Sequence, residues 1–316
     1  MATKAQTVTL RAEQAQHTAP DSMWRIAIRR YRRHRMAMLG LFMLIGIILY
    51  IVIGSFIFTE NFANYNDTTQ RLQPPSAAHP FGTDTIGRDI LARTIYGGQI
   101  SLLIGLLAML CEVILGTIVG ALAGYYGGVV DAILMRITEA IVSIPLILIL
   151  LLMAKMLGGR VADIELFGRT FSGSVVVIVV LIGITSWTTL ARIVRASFLS
   201  LKEAEFVTAA RAIGVPNWRI IVRHILPNTI APIMVSATLG VAGAILSEAY
   251  ISFFGLGVQA PTASWGNMLN GANQYLQTAQ WLWFYPGLLL VFTVMSINFV
   301  GDGLRDALDP RSDKKF

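Results

Sequence analysis

Long uncharged apolar runs alternate along this chain with polar, often basic stretches. A helix needs about 20 mostly apolar residues to cross the roughly 30 Å hydrocarbon core of a bilayer. Six segments meet that requirement: Met36 to Phe58, Ile100 to Gly124, Ile133 to Leu157, Ser174 to Ala191, Pro227 to about Tyr250, and Trp281 to Gly301. The second is interrupted only by Glu112, and the third carries Arg136 and Glu139 near its start. From Ala249 to Gly301 there is no charge at all, yet Gln259, Asn267, Asn270, Asn273, Gln274 and Gln277 are too polar to face lipid. The stretch is therefore read as a span, a polar outer loop carrying a short helix, and another span. The pattern predicts an all-α integral membrane protein of six transmembrane helices.

Composition agrees with that pattern. Of the 316 residues, 55% are hydrophobic and 14% charged, against about 25% charged in soluble domains. Mean hydropathy is +0.64. The net charge of +7 would also suit a nucleic-acid binder, but the basic residues flank the apolar runs, so they report topology. With the N-terminus on the cytoplasmic side, the inner segments hold 19 Lys and Arg and the outer ones 6. Six spans then place both termini inside. Residues 1–35 end in the run Arg25, Arg29, Arg30, Arg32, Arg33 and Arg35, read as a topology anchor that touches anionic lipid. The apolar run after it is too long for the core of a cleaved signal peptide and reads as a retained anchor. A single cysteine, Cys111, excludes an intrachain disulfide, and His17, His34, His79 and His224 show no metal-ligand spacing. No cofactor, metal or nucleic acid is expected.

Three connecting segments carry more pattern than a spacer requires. In residues 59–99, Thr83 or Asp84 is placed to cap a short interfacial helix with Ile86, Ile90 and Leu91 on its apolar face. In residues 197–226, Phe206, Ala210 and Ile213 form a helical stripe, and Gly214 stands where a C-cap glycine belongs. Pro216 is placed to open a second short helix, and Pro227 to open the fifth span. The small residues Ala209, Ala210 and Gly214 leave room for a close partner; a helix lying on lipid headgroups fits the same pattern. In the loop 253–280, Trp281 and Trp283 at its end suit an interfacial belt.

Catalytic patterns are missing. Gly-Lys never occurs, so there is no phosphate-binding loop, and neither a nucleophile elbow nor a zinc-binding helix motif is found. The chain is read as non-enzymatic. Intramembrane carboxylates cost on the order of 3 kcal/mol or more when ionised. That singles out Glu112 and Glu248 as candidates to line a translocation path, with pairing at a subunit interface as the structural alternative. Glu139 is read as paired with Arg136. Gly116, Gly120 and Gly124 repeat every fourth residue and predict close helix packing. Pro145, Pro232 and Pro286 lie within spans and are read as static kinks. A carrier driven by ions, with Glu112 as proton site, competes; inverted repeats and broken helices would mark it, and neither is evident in the sequence.

Ala209-Ala210, Gly214 and Leu226-Pro227 resemble the cytoplasmic signature loop of binding-protein-dependent ATP-binding-cassette permeases: Glu-Ala-Ala, three residues, Gly, nine residues, Ile, one residue, Leu-Pro. Thr208 stands at the glutamate position and His224 at the isoleucine position, with Glu205 one turn before Thr208. His79-Pro80-Phe81-Gly82-Thr83-Asp84 with Gly87-Arg88-Asp89 is similar to the outer segment of the second membrane subunit of dipeptide, oligopeptide and nickel importers. So are Phe254 to Gly257, Ser264-Trp265-Gly266, Asn298 to Asp306 and Asp309-Pro310. The resemblance implies a type I importer permease fold with a cytoplasmic coupling helix between spans four and five. The implied division is a basic tail over 1–35, the first span and outer segment over 36–99, the permease domain over 100–303 and a cytoplasmic tail over 304–316. Implied partners are a second permease subunit, two ATPase subunits, an extracytoplasmic substrate-binding protein and membrane lipid. ATPase coupling then falls to Glu205, Phe206, Thr208, Ala209, Ala210, Ile213 and Gly214. Peptides are the implied substrate, with nickel chelates or glutathione-type peptides as alternatives on the same scaffold.

Overall fold

The structure, a computed structural model, describes residues 23–157, 159–166 and 169–308. Most of the two tails expected at 1–35 and 304–316 therefore lies outside the described residues.

Helix α1 (Met23–Arg33) is short and basic; it turns at His34 into α2 (Arg35–Ile57), the first long apolar helix. His34 caps α2 by accepting from the Ala37 amide at 3.0 Å, and its other nitrogen lies 3.3 Å from Asp306 near the chain's far end. A short helix, α3 (Glu60–Asn64), begins the long connection that follows.

That connection ends differently from the expected capped helix. Residues 82–89 form a tight loop closed by a bridge between Thr83 and Asp89. Asp84 spends its carboxylate inside the loop, accepting from the amides of Ile86 and Arg88 and from Arg88 Nε at 2.7 Å. The helix cap is Asp89, which accepts from the Ala92 amide at 2.8 Å. From there α4 (Ile90–Tyr126) runs unbroken for 37 residues. At 1.5 Å per residue that is about 55 Å, well beyond the bilayer core. Its first ten residues include Arg93, Thr94 and Gln99, so an apolar window starts at Ile100 although the helix starts earlier. Gly97 and Gly98 do not break it, because they give Ser264 and Trp265 room to approach.

The expected third span is two helices, α5 (Gly128–Ser143) and α6 (Leu146–Leu157), bent by 83° at the break. Pro145 sits in that break; lacking an amide hydrogen, it cannot continue the ladder. Pro232 and Pro286, read as kinks, instead lie near the beginnings of long helices that stay continuous. A small hairpin, β1 (Ile164–Leu166) with β2 (Arg169–Phe171), leads to α7 (Gly173–Leu201), which extends ten residues past the expected end of the fourth span. The helix α8 (Glu205–Ala212) follows. A second helical segment starts at Asn217, with Pro216 as its cap residue, and passes through a π-type stretch at Ile220–Ile225 and a tight turn at Leu226–Thr229 directly into α9 (Ile230–Phe253). Pro227 thus does not open the fifth span; the wider and tighter turns around it absorb its missing donor. The loop beyond α9 holds α10 (Trp265–Met268), and α11 (Trp281–Leu308) closes the bundle.

Among the described residues, five helices are long and apolar enough to cross a membrane, and the bent pair makes six if taken as one span. α4 packs along most of α7, α2 along α11, and α9 between α4 and α11. Ile104, Ile178 and Ile251 are fully buried at the centre of one core, and Leu190, Phe198, Val207, Ile220 and Ile225 at the centre of a second beneath α8. Large apolar side chains such as Phe42, Phe56, Ile114 and Ile118 face outward, as lipid contact requires.

Candidate functional site

The first candidate is the end of the bundle that carries α8. The helix stops in a pattern that satisfies its last carbonyls: Val215 N–H donates to Ala210 O at 3.1 Å and Gly214 N–H to Arg211 O at 3.0 Å. This is a Schellman arrangement, which needs a left-handed residue at the turn. Gly214 supplies it with φ +78, and nothing lies within 4 Å of where its side chain would start. Val207 and Ala210 are buried against the second core, while Phe206, Thr208, Ala209, Ile213 and Gly214 are exposed, Ile213 by 81%. This corrects the expected stripe. Phe206 and Ile213 face outward, but Ala210 faces the chain's own interior, since residues 207 and 210 share the inward side of one turn. Beyond Gly214, Trp218 and Val222 extend the exposed apolar surface, with the Arg219 guanidinium 5.3 Å from the Trp218 ring centre. Glu205 is exposed in the first turn of α8, where a carboxylate suits the helix dipole.

The second candidate is a cavity of about 1010 Å³ between α4, α7 and α9. Its wall is largely apolar, with hydroxyls from Thr185, Ser186, Thr189, Ser236 and Ser247. Thr185, Ser186 and Ser247 donate to carbonyls of their own helices, which leaves their oxygens able to accept from a guest. Glu112 belongs to this wall. It is 5% exposed, and its carboxylate has no hydrogen-bond or ion-pair partner among the described residues. Gly240 on α9 gives it space: a β-carbon there would lie 2.5 Å from Glu112 Oε2.

Glu248 does something else. It is fully buried, and its carboxylate accepts from Ser101 on α4 at 3.0 Å, Ser252 on α9 at 2.6 Å and Ser264 before α10 at 2.7 Å. Ser101 in turn accepts from the Trp265 amide, and Trp265 Nε1 donates to Thr94 O at 2.8 Å. Glu248 therefore does not line the cavity. It ties α4 and α9 to the loop between α9 and α11. Ser101 and Ser264 are not identifiable in sequence as its partners, because they are 147 and 16 residues away, whereas Ser252, at i+4 on the same helix, is placed by helical spacing alone.

The remaining candidates are packing residues. A β-carbon at Gly116 would lie 2.9 Å from Leu190 Cβ, at Gly120 2.5 Å from Ala191 O, and at Gly124 2.5 Å from Phe198 Cβ. All three face α7. Arg136 and Glu139 are 3.4 Å apart and both exposed. A stronger pair escaped the sequence reading: Arg195 on α7 holds Asp131 on α5 through one guanidinium edge, Nε and Nη2 each donating to one carboxylate oxygen. His79, Asp84 and Asp89 do not converge as a metal site. His79 Nδ1 donates to Asp89 Oδ2 at 2.8 Å while Asp84 accepts from Arg88. In the same connection, a hydrogen bond from the Thr69 hydroxyl holds the Asp67 carboxyl below the usual carboxylate range. Phe81 stacks on Tyr285 and Trp281 donates to Thr83 O, so the loop is pinned to the start of α11.

Comparison with known proteins agrees with this arrangement. Residues 116–314 match the family of binding-protein-dependent transport system inner membrane components, and residues 22–75 match the N-terminal transmembrane domain of oligopeptide transport permease C. A dipeptide transport system permease protein of Alkalihalophilus pseudofirmus is 40% identical over 94% of this chain and 92% of its own length. An oligopeptide transport system permease protein of Haemophilus influenzae is 40% identical over 92% of this chain and 89% of its own. Among solved structures, the methionine ABC transporter MetNI in inward-facing conformations matches with a TM-score of 0.52 at 19% identity, covering 69% of this chain and 96% of that one. That likeness concerns the fold, an ABC importer permease fold. The chain is a multi-pass membrane protein and belongs to the family of binding-protein-dependent transport system inner membrane components.

Proposed function

We propose that this chain is one of two membrane subunits of an ATP-driven importer of di- and oligopeptides, and that α8 is the element through which ATPase subunits move it. The α8 end then faces the cytoplasm, as do both chain termini, in keeping with the excess of Lys and Arg there. The proposed partners are a second permease subunit, two ATPases and an extracytoplasmic substrate-binding protein.

The observation that carries this reading is the two-sidedness of α8. Val207 and Ala210 fasten it to the core formed by α4, α7 and the lead-in to α9, while Phe206, Ala209 and Ile213 stand free on the opposite side. A helix so placed receives a push on one face and passes it to the spans through the other. The outward face suits insertion into a groove of a partner. Peptide as the cargo is supported by the relatives' names and by a cavity whose wall offers hydroxyls and one unpaired carboxylate, Glu112, to a peptide's amides and ammonium.

The test replaces Gly214 with valine in the reconstituted complex. A β-branched residue is strained at φ +78, and the turn that orients α8 has to change. Uptake is expected to fall at least tenfold while the complex still assembles and hydrolyses ATP. Normal uptake by the assembled variant overturns the coupling role. Phe206→Asp with Ile213→Asp should instead release the ATPases on purification.

A further inference from the structure

The strongest unassigned site lies at the opposite end of the bundle from α8. There the loop 82–89 and the first turn of α4 face the segment that carries α10 and continues to α11, enclosing a cavity of about 290 Å³. That is far above the ~10–15 Å³ that admits a single water. Arg93 lines it. This guanidinium is 3% exposed, and its hydrogen bond is from Nη1 to the neutral amide oxygen of Asn64 at 3.0 Å. The neighbouring carboxylate, Asp84, bonds Arg88 and backbone amides and reaches Arg93 only through space, so two guanidinium groups share one carboxylate. Among the described residues no carboxylate pairs with Arg93.

A buried cation with no counter-charge bonded to it is costly even after relaxation. Arg93 therefore carries a standing preference for an anion. The shape of its planar fork favours a carboxylate, which accepts two parallel N–H bonds. The rest of the wall mixes the neutral polar side chains of Asn267, Asn270, Gln274 and Tyr275 with apolar Ile90, Met268 and Leu282, and its one carboxylate is the committed Asp84. The site is separate from the large cavity, with which it shares no lining residue.

We propose that this cavity is a carboxylate-binding site with Arg93 as its anchor, used on the face that receives cargo. This rests on the orientation given above. Two sources present a carboxylate there: an acidic side chain of the docking substrate-binding protein, and the C-terminus of an arriving peptide.

The experiment uses the whole importer complex in nanodiscs, as wild type, Arg93→Gln and Gln274→Glu. Gln274 is exposed on the opposite wall, so its replacement puts a carboxylate into the site without disturbing the core. Acetate is the carboxylate probe. Millimolar acetate should slow thermal inactivation of the wild type and leave both variants unaffected. Binding of the substrate-free binding protein should weaken about 10- to 100-fold in both variants if its side chain is the source, the usual size of a lost charge-assisted bond. If the peptide is the source, that binding stays unchanged, KM for peptides rises by the same factor in both variants, and C-terminal amidation raises it in the wild type alone. Should Arg93→Gln fail to assemble, Gln274→Glu decides. Equal acetate response in wild type and variants, or no change in either affinity, overturns the proposal. If no ATPase or binding protein joins the complex, the importer reading fails, while selective acetate protection would still uphold the site.

Discussion

Adding one methyl group to each of two glycines should have opposite consequences. Gly120 and Gly46 both lie inside long apolar helices, α4 and α2. At Gly120 the new carbon would sit 2.5 Å from the Ala191 carbonyl oxygen, 2.7 Å from Val194 Cβ and 3.1 Å from the Arg195 amide nitrogen. Two of these are backbone atoms, so no rotamer change relieves them. Helix α7 must move away by several tenths of an ångström or more. A gap of 0.5–1 Å forfeits a quarter to a half of each dispersion contact along the seam. That seam includes fully buried Leu190, Val194 and Phe198. Overpacking of this kind costs about 1–3 kcal/mol, against a gain in helix propensity of at most about 1 kcal/mol. Gly120→Ala should therefore destabilise the folded chain by roughly 1–2 kcal/mol. At Gly46 nothing lies within 4 Å, so Gly46→Ala keeps only the propensity gain and should be neutral or stabilised by up to about 1 kcal/mol. The assay is the fraction of monodisperse protein left after graded heating in one detergent, wild type and both variants side by side. Indistinguishable curves for the two variants would refute the close approach of α4 to α7.

Other expectations follow from particular contacts. Glu248→Ala strands three serine hydroxyls and leaves a cavity, so it should lower stability by roughly 2–4 kcal/mol, whereas Glu248→Gln keeps an acceptor and should cost about 1 kcal/mol; a stable Glu248→Ala with altered uptake would return Glu248 to the path. A double-mutant cycle of Asp131→Asn with Arg195→Gln should show coupling of roughly 1–2 kcal/mol in thermal unfolding, and additive effects would remove this pair as the tie between α5 and α7. Glu112→Gln should change KM for peptides with basic N-termini while leaving thermal stability within about 0.5 kcal/mol; unchanged uptake kinetics would remove Glu112 from the path.

The approximate places of the long apolar helices and the polar loop between the last two were legible in the sequence, because hydrocarbon solvent imposes a length and excludes charge locally. Local stereochemistry was legible too: Gly214 terminates α8 where a left-handed residue was expected, and the four-residue glycine spacing faces a neighbouring helix. Tertiary structure alone decided which face of each helix is inward. Phe206, Ala210 and Ile213 form a stripe by periodicity, yet α8 buries Val207 with Ala210, since its orientation is set by the core beneath it. Likewise Glu112 and Glu248 are indistinguishable as intramembrane carboxylates. One faces a cavity and the other is tied by three serines, and that difference depends on partners distant in the chain. The same holds for Arg93, whose lack of a directly bonded carboxylate appears only when the segments around it are folded together.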